Sequence, residues 1–336
     1  MLKLLIKIVM TALFALAAPA NAGAQAGKIL PMSAPPKGAE VVTVGFYPMN
    51  IYNVDPASST FVFDGYIWFR WKGDIDPTET VEFTNAVNKS SISKELLYEA
   101  PQTGKDGTKY QIMRIESAFL QPFSLAQFPL DKHALSITVE DSLNGKDQLV
   151  YEIDQADTSY APGLTISGWK LNNWSHQKTI VDYASTFGDI GASQASQYAR
   201  LTFNVNIARP ESYFIWKLLL PLVVVLCGAW IALLLSPALT ETRAALPASA
   251  LLTTVFLQQG YTASLPETGG LVLLDEIYVV AYILIVVTLA HVIIKSRNID
   301  EKTEAEIQVM RAKDMRSLVV QVIIFIAAST LLVALR

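Results

Sequence analysis

Between residues 41 and 207, apolar and polar positions alternate with period two. They do so in short runs rich in aromatic and β-branched residues: VVTVGFYPMNIYNV, TFVFDGYIWFRW, KYQIMRIESAFL, ALSITVE, QLVYEI, SGWKLNNW and ARLTFNVNI. Such alternation buries one face of a strand and leaves the other facing water. Turn-forming residues divide the runs, at Asp55-Pro56, Lys72-Gly73-Asp74, Gly104-Lys105-Asp106-Gly107 and Asn144-Gly145-Lys146-Asp147. No long helical pattern interrupts them. The pattern predicts an all-β, immunoglobulin-like antiparallel sandwich over residues 41–209.

From residue 210 the pattern changes to long apolar stretches, at about 215–235, 243–263, 271–294 and 318–335. About 20 apolar residues suffice to cross a bilayer, so a four-helix transmembrane domain over 210–336 is expected. The second stretch differs from its neighbours. It carries Ser249, Thr253, Thr254, Gln258, Gln259 and Thr262, and uncompensated polar groups in hydrocarbon cost several kcal/mol each, on the order of 2–7. A helix of this composition suits protein on one side and water on the other, as in the lining of a pore.

Between the third and fourth stretches, residues 295–317 carry Lys295, Arg297, Lys302, Arg311, Lys313 and Arg316. Basic loops stay in the cytoplasm. Residues 1–22 have a basic start at Lys3 and Lys7, an apolar centre and an Ala20-Asn21-Ala22 end, the pattern of a cleaved secretory signal. Residues 23–40 read as a lead-in. Both arguments put the sandwich outside, periplasmic or extracellular, on a multi-pass protein of the inner (plasma) membrane.

Composition narrows the function. The chain is 51% hydrophobic and 17% charged, with a net charge of −4, which offers no basic face for nucleic acid. Its one cysteine, Cys227, excludes an internal disulfide, and its three histidines, His133, His176 and His291, form no metal-ligand spacing. No nucleophile–base pair or paired-carboxylate arrangement stands out, so neither an enzyme nor a cofactor is expected.

Residues three and four apart share a helix face. From Glu241 one face runs through Ala245, Ser249, Leu252, Phe256, Gln259 and Ala263, with Val255 taken to lie on the packing side. One helix cannot enclose a channel, so a ring of identical subunits is implied. The ring would have carboxylates at its inner mouth (Glu241), a narrow zone of small residues, and an apolar gate at Leu252 and Phe256. Carboxylate rings concentrate cations, and apolar constrictions close by dewetting. Alternatives stay open: Glu241 also suits a helix N-terminus, Leu252 and Phe256 also suit plain packing, and Arg243 turned inward would favour anions. Pro247 removes a backbone bond to the Arg243 carbonyl and predicts a kinked or loosened inner end.

The order of elements, with Phe128-Pro129-Leu130-Asp131, Gly168-Trp169, Arg209 before the first membrane stretch, Pro221 within it and Leu265-Pro266 after the second, resembles the pentameric ligand-gated ion channels. This is the Cys-loop receptor superfamily, and the likeness is to its prokaryotic type lacking the loop disulfide. Leu130 replaces the usual aromatic of the Phe-Pro-Phe-Asp signature, no cysteines bracket it, and a Trp-x-Pro element expected between Trp71 and Phe83 is missing. The resemblance implies a homopentamer, contact with membrane lipid, and a small-molecule or ion agonist acting on the outer domain. It also implies that the basic residue at the place of Arg243 points away from the axis.

Coupling loops follow from the same resemblance. The turn at Val54-Asp55, the Phe128–Asp131 loop with Pro129, and the Leu265-Pro266 linker should meet, with Asp55 and Asp131 around Arg209. A charge-assisted cluster suits a partly dry junction; the alternative is a lone membrane-anchoring arginine. The agonist site is implied between subunits, beneath a hairpin at about 181–198 carrying Tyr183, Phe187 and Tyr198. Trp68, Arg70, Phe83, Asn85, Glu140 and Asp141 are expected opposite. Aromatics with a carboxylate suit an amine, while Glu140, Asp141, Asp154 and Asp157 leave proton or divalent-ion control equally open. Among competing functions, a non-conducting sensor would need an output domain larger than residues 295–317. An anion channel of the same fold is the nearer alternative.

Overall fold

Strict alternation makes β11 (Gln197–Ala208) the clearest strand: Ala199, Leu201, Phe203, Val205 and Ile207 are buried and the residues between them are half-buried. In the computed structural model, which describes residues 27–88, 92–188, 196–267, 269–296 and 303–336, β11 sits in the middle of a five-stranded sheet. Its order is β1 (Lys28–Pro31), β10 (Lys170–Asp182), β11, β8 (Lys132–Asp141) and β4 (Val81–Phe83). The facing sheet has the order β5 (Ser93–Leu96), β7 (Lys109–Leu120), β3 (Thr60–Trp71), β2 (Glu40–Asp55) and β9 (Leu149–Ile153), with β6 (Gln102–Thr103) paired to β7. All neighbours are antiparallel except β2 and β9. Inward side chains of the two sheets interdigitate; Phe46 of β2 stacks on Phe203 with centroids 4.7 Å apart.

Several strands differ from the sequence reading. β10 begins later than the SGWKLNNW run and continues to Asp182, because His176, Gln177 and Lys178 pair along β11 despite their polarity. Part of the lead-in is strand: Lys28–Pro31 pairs with Thr179–Asp182 at the sheet edge. The secretory-signal reading of residues 1–22 lies outside the described residues.

Four long helices follow among the described residues. α1 spans Tyr213–Ile231 and opens as a wide π-helical segment over Tyr213–Leu219. Pro221 falls in the first turn of its α-helical part, where a missing N–H costs little. α2 is Thr240–Thr262, α3 Leu273–Ser296 and α4 Glu304–Leu335. α1 stops short of the expected 235. The fourth helix starts well before the expected 318 and takes up much of the polar stretch. Its start is fixed by a capping box: Glu306 N–H donates to Thr303 Oγ1 (3.4 Å) and Thr303 N–H to the Glu306 carboxylate (2.8 Å). Apolar content marks where a helix meets lipid, not where its hydrogen-bond ladder begins.

Among the described residues, α1, α3 and α4 are long and apolar enough to cross a membrane by length and composition. α2 has the length, at 23 residues, but is more polar. A second apolar core, with Leu222, Leu226, Leu274, Ile277, Ala281 and Ile285 at its centre, joins the helices.

Candidate functional site

α2 shows two opposite stripes. Arg243, Pro247, Ala250, Thr254 and Tyr261 are buried. On the other side Glu241, Ala245, Ser249, Leu252, Phe256, Gln259 and Ala263 are all exposed, Leu252 at 58% and Phe256 at 62%. Val255, expected on the packing side, is exposed too; at about 100° per residue it lies only about 60° round the helix from Leu252. The helix runs unbroken through Pro247, whose ring is buried in the bundle. Its polar side chains are satisfied locally, as a low-dielectric setting demands. Thr253 donates to the Ser249 carbonyl (2.9 Å), Thr254 to that of Ala250 (2.8 Å) and Thr262 to that of Gln258 (2.8 Å). Glu241 sits in the first turn of α2, but the N-cap residue is Leu239 and makes no side-chain cap hydrogen bond.

At the sandwich end, the loop holding Phe128-Pro129-Leu130-Asp131 docks onto three helices. Phe128 is buried and stacks near Tyr261 of α2 at 6.2 Å. Leu273 and Leu274 of α3 donate backbone N–H groups to the carbonyls of Ala126 (3.0 Å) and Phe128 (3.2 Å). Arg336 reaches the Ala126 carbonyl from beyond α4 at 2.8 Å. Pro56, Ala126 and Pro266 line one cleft of about 400 Å³, and Leu265 packs against the helical core. The three expected loops therefore share one junction.

Arg209 is the centre of that junction. Its guanidinium grips Asp131 with two bonds, 2.8 and 3.1 Å. It lies over Trp169 at 4.3 Å, Phe128 at 4.9 Å and Tyr213 at 5.6 Å. Burial pushes the Asp131 carboxyl up, but hydrogen bonds from His133 and Arg209, with the guanidinium charge, outweigh it and hold the pKa down to about 2. The expected second carboxylate is a correction. Asp55 caps its own turn, accepting from Ala57 N–H (2.9 Å) and Ser58 Oγ (2.7 Å). The third member is His133, whose Nε2 is 2.7 Å from Asp131. Asp-x-His alternates on one strand face, a spacing that was available in the sequence.

The agonist candidates divide into two clusters on different sheets. On the five-stranded sheet Glu140 accepts from Arg200 and from the Tyr183 hydroxyl (2.7 Å). Tyr183 faces Phe187 at 5.3 Å and Tyr198 at 6.0 Å. Burial, then the bond and charge of Glu140, push the Tyr183 hydroxyl up to about 12. On the six-stranded sheet Trp68 Nε1 donates to Asp154 at 3.0 Å, and Arg70 pairs with the same carboxylate and lies 3.7 Å from Asp157. Gly45, opposite Trp68 in register, allows this, since a Cβ there would sit 2.0 Å from the indole. Tyr47, Tyr66 and Tyr110 complete a cleft of about 330 Å³.

Three candidates have other duties. Phe83 is core, 1% exposed. Asn85 straps two strands, donating to the carbonyls of Leu120 (3.1 Å) and Ser136 (2.7 Å) and accepting from Thr138 N–H (3.0 Å). Asp141 points away from Glu140, as adjacent strand residues do, and holds a turn through the N–H groups of Leu143 and Asn144. Arg200 and Asp154 complete the two clusters. Residues 189–195 of the hairpin lie outside the described residues.

Known proteins resemble this chain in sequence. The chain is 24% identical over 165 residues to a pH-sensitive chloride channel 2 of Anopheles gambiae, covering 49% of this chain and 27% of that one. It is 24% identical over 189 residues to a gamma-aminobutyric acid receptor subunit beta of Caenorhabditis elegans, 54% of this chain and 31% of the relative. With a proton-gated ion channel of Gloeobacter violaceus it shares 21% identity over 219 residues, 59% and 58%. These likenesses support the resemblance to the pentameric ligand-gated ion channel superfamily that the sequence motifs carry. No family model matches the chain, and it spans less than two-thirds of the length of the curated relatives just named.

One feature of this chain was not read from the sequence. At the end of the bundle far from the sandwich, Arg243 is fully buried and donates from Nε to the Ala232 carbonyl (2.8 Å) and from Nη2 to Asp314 (2.5 Å). His291 Nε2 lies 2.7 Å from the other Asp314 oxygen. Beside it Gln321 accepts from Trp230 Nε1 (3.0 Å) and Thr288 (2.8 Å). Arg243 therefore contributes no charge to the exposed stripe. The signal was present: Thr288 and His291 share a face of α3, Asp314 and Gln321 a face of α4, and polar residues in apolar helices face protein.

Proposed function

We propose that this chain forms a homopentameric, ligand-gated ion channel whose pore is lined by α2, with Leu252 and Phe256 as its closing constriction. The observation that carries the reading is the exposed stripe from Glu241 to Ala263, set opposite a stripe that is fully packed. Five copies around an axis would cover that stripe with water and leave the apolar backs of α1, α3 and α4 to lipid. The sandwich is taken to face the periplasm or exterior, and the basic stretch before and within early α4 the cytoplasm. The agonist, a small molecule or ion, would bind between subunits, where the Tyr183–Glu140–Arg200 face of one copy meets the Trp68–Arg70–Asp154 face of the next.

Cation selectivity is the reading favoured by charge. Glu241 is the acidic residue on the open stripe, while Arg243, two residues on, is spent on Asp314 inside the bundle. The second reading is an anion channel, supported by relatives that include a pH-sensitive chloride channel 2 and a glutamate-gated chloride channel of Drosophila melanogaster. Currents through purified protein in a planar bilayer with a salt gradient separate the two. A reversal potential on the cation side that collapses toward zero in Glu241→Ala supports the first. A reversal potential on the anion side, or one unchanged by Glu241→Ala, removes Glu241 from selectivity. Absence of any current under varied pH and candidate ligands would overturn the channel itself.

A further inference from the structure

β1 (Lys28–Pro31) lies along the outer edge of β10, and no further strand covers it among the described residues. Just past it, Met32 N–H donates to the Lys178 carbonyl at 3.2 Å. Hydrogen-bonded pairs alternate along an antiparallel ladder, so Leu30 and Lys28 bond to Ile180 and Asp182. Ile29 opposite Val181, and Pro31 opposite Thr179, fall at the pairs that need no bond. A proline fits there without loss. The strand has one firm anchor. Met32 is 6% exposed, in a small core with Val150 and Ala199, whereas all four residues of β1 are exposed. An element with few buried contacts opens at low free energy.

The start of this strand lies against a candidate site. A Cβ on Gly27 would sit 2.4 Å from the Asp182 carbonyl oxygen and 3.3 Å from Tyr183 Cα, so only glycine permits the approach. Lys28 opposes Asp182, whose carboxylate accepts from Ala184 N–H (2.9 Å) and Gln197 Nε2 (2.8 Å). Those bonds, then the charges of Lys28 and Lys146, hold the Asp182 carboxyl below its ordinary range. Cross-strand pairs share a face. The rows Ile29–Val181–Tyr198 and Pro31–Thr179–Arg200 therefore run from β1 into the cluster around Tyr183.

Tyr183 needs to be held. Its hydroxyl donates to Glu140 (2.7 Å) and accepts from Arg200 (3.2 Å). Just beyond it, Ala184 and Phe187 have φ of 51° and 53°. Left-handed backbone costs such residues roughly 1–3 kcal/mol each, and persists only where the surroundings enforce it. The Asp182 bonds enforce it from one side, and β1 backs Asp182 from the other.

We propose that β1 is a strap that positions Tyr183 against Glu140 and Arg200 by holding the Asp182–Tyr183 backbone from the sheet edge. The proposal rests on reading that cluster as half of a ligand site, but the positioning is measurable without ligand or current. The test uses the full chain in detergent. A fluorotyrosine at position 183 reports the phenol by fluorine NMR, and hydrogen exchange read by mass spectrometry reports the backbone. In the parent, the phenol should titrate above free fluorotyrosine, because burial and Glu140 disfavour its anion. Gly27→Val and Leu30→Pro should each move the midpoint down toward the free value. Each should also speed exchange over residues 179–188 by at least about tenfold, with β8 unchanged. Leu30→Ile, which keeps the N–H and the bulk, should behave as wild type. An unchanged midpoint in both disruptive variants would overturn the strap. An exchange increase spread equally over β8 would show a general support of the sheet and equally overturn it. If those variants fail to fold, a disulfide decides the matter. Ile29→Cys with Val181→Cys, in a Cys227→Ser background, joins a pair with Cα atoms about 4.5 Å apart, within disulfide range. Oxidation should slow exchange over residues 183–188 by at least about threefold; identical exchange in the oxidised and reduced protein would overturn the strap.

Discussion

Arg209 carries the domain junction because three kinds of interaction converge on one planar cation. It makes two parallel bonds to Asp131 and lies against three aromatic rings, a combination a lysine cannot reproduce. Asp131 is 1% exposed, so removing its partner leaves a buried charge. Arg209→Ala should destabilise the protein by about 3 kcal/mol and uncouple the sandwich from the helices; near-wild-type melting and gating would refute this. The pH dependence has a defined sign. The folded-state pKa of Asp131 is depressed to about 2, so its contribution is fully present above about pH 4, the unfolded value, and is lost as pH falls through about 2. A thermal-melt series over that window should show the loss in wild type and a flatter profile in Asp131→Asn.

At the scale of elements, the Arg243–Asp314–His291 chain ties α2 to α3 and α4, and through the Ala232 carbonyl to the end of α1. Breaking a buried pair is costly, about 3–5 kcal/mol, whereas replacing both members with apolar residues is often neutral. Asp314→Asn should therefore lower the melting temperature markedly, while Arg243→Met with Asp314→Leu should recover much of the loss. If the double variant is no better than the single, the ion pair has a role beyond packing. This chain also shows where sequence reading stops. The strands over 60–71 and 109–120 were legible to the residue because alternation there is set by two-sheet burial. The start of α4 was not, since its polar first turns follow a capping pattern rather than an apolar one. Arg209–Asp131 followed from a motif, but Asp55 was misassigned: a turn aspartate satisfies its own backbone first. Glu140 and Asp141 looked alike as neighbours, and only strand geometry separates the one facing Tyr183 from the one holding a turn.

At the scale of the whole molecule, a single copy leaves α2 half bare, and the gate proposed above would exist only in an assembled ring. Leu252 and Phe256 are one turn apart on the open stripe and more than half exposed. In a closed ring their side chains from every subunit would converge at one level, where confined water loses hydrogen bonds and ions cannot pass. A hydroxyl at that level restores wetting without touching either aromatic cluster of the sandwich. Leu252→Ser should thus raise resting current, or lower the agonist concentration for half-activation by about tenfold, equivalent to about 1.4 kcal/mol of bias toward the open state. The control belongs on the buried stripe: Ala250→Leu, which overpacks the contact with neighbouring helices, should reduce assembly by an amount typical of overpacking, about 1–3 kcal/mol, without opening the pore. Single-channel recording of both variants, with mass photometry of the detergent-solubilised oligomer, separates the two effects. Should Leu252→Ser assemble and stay as closed as wild type, the constriction lies at another level of the same stripe. The Ala245 and Ser249 rings flanking Pro247 would then be next to vary.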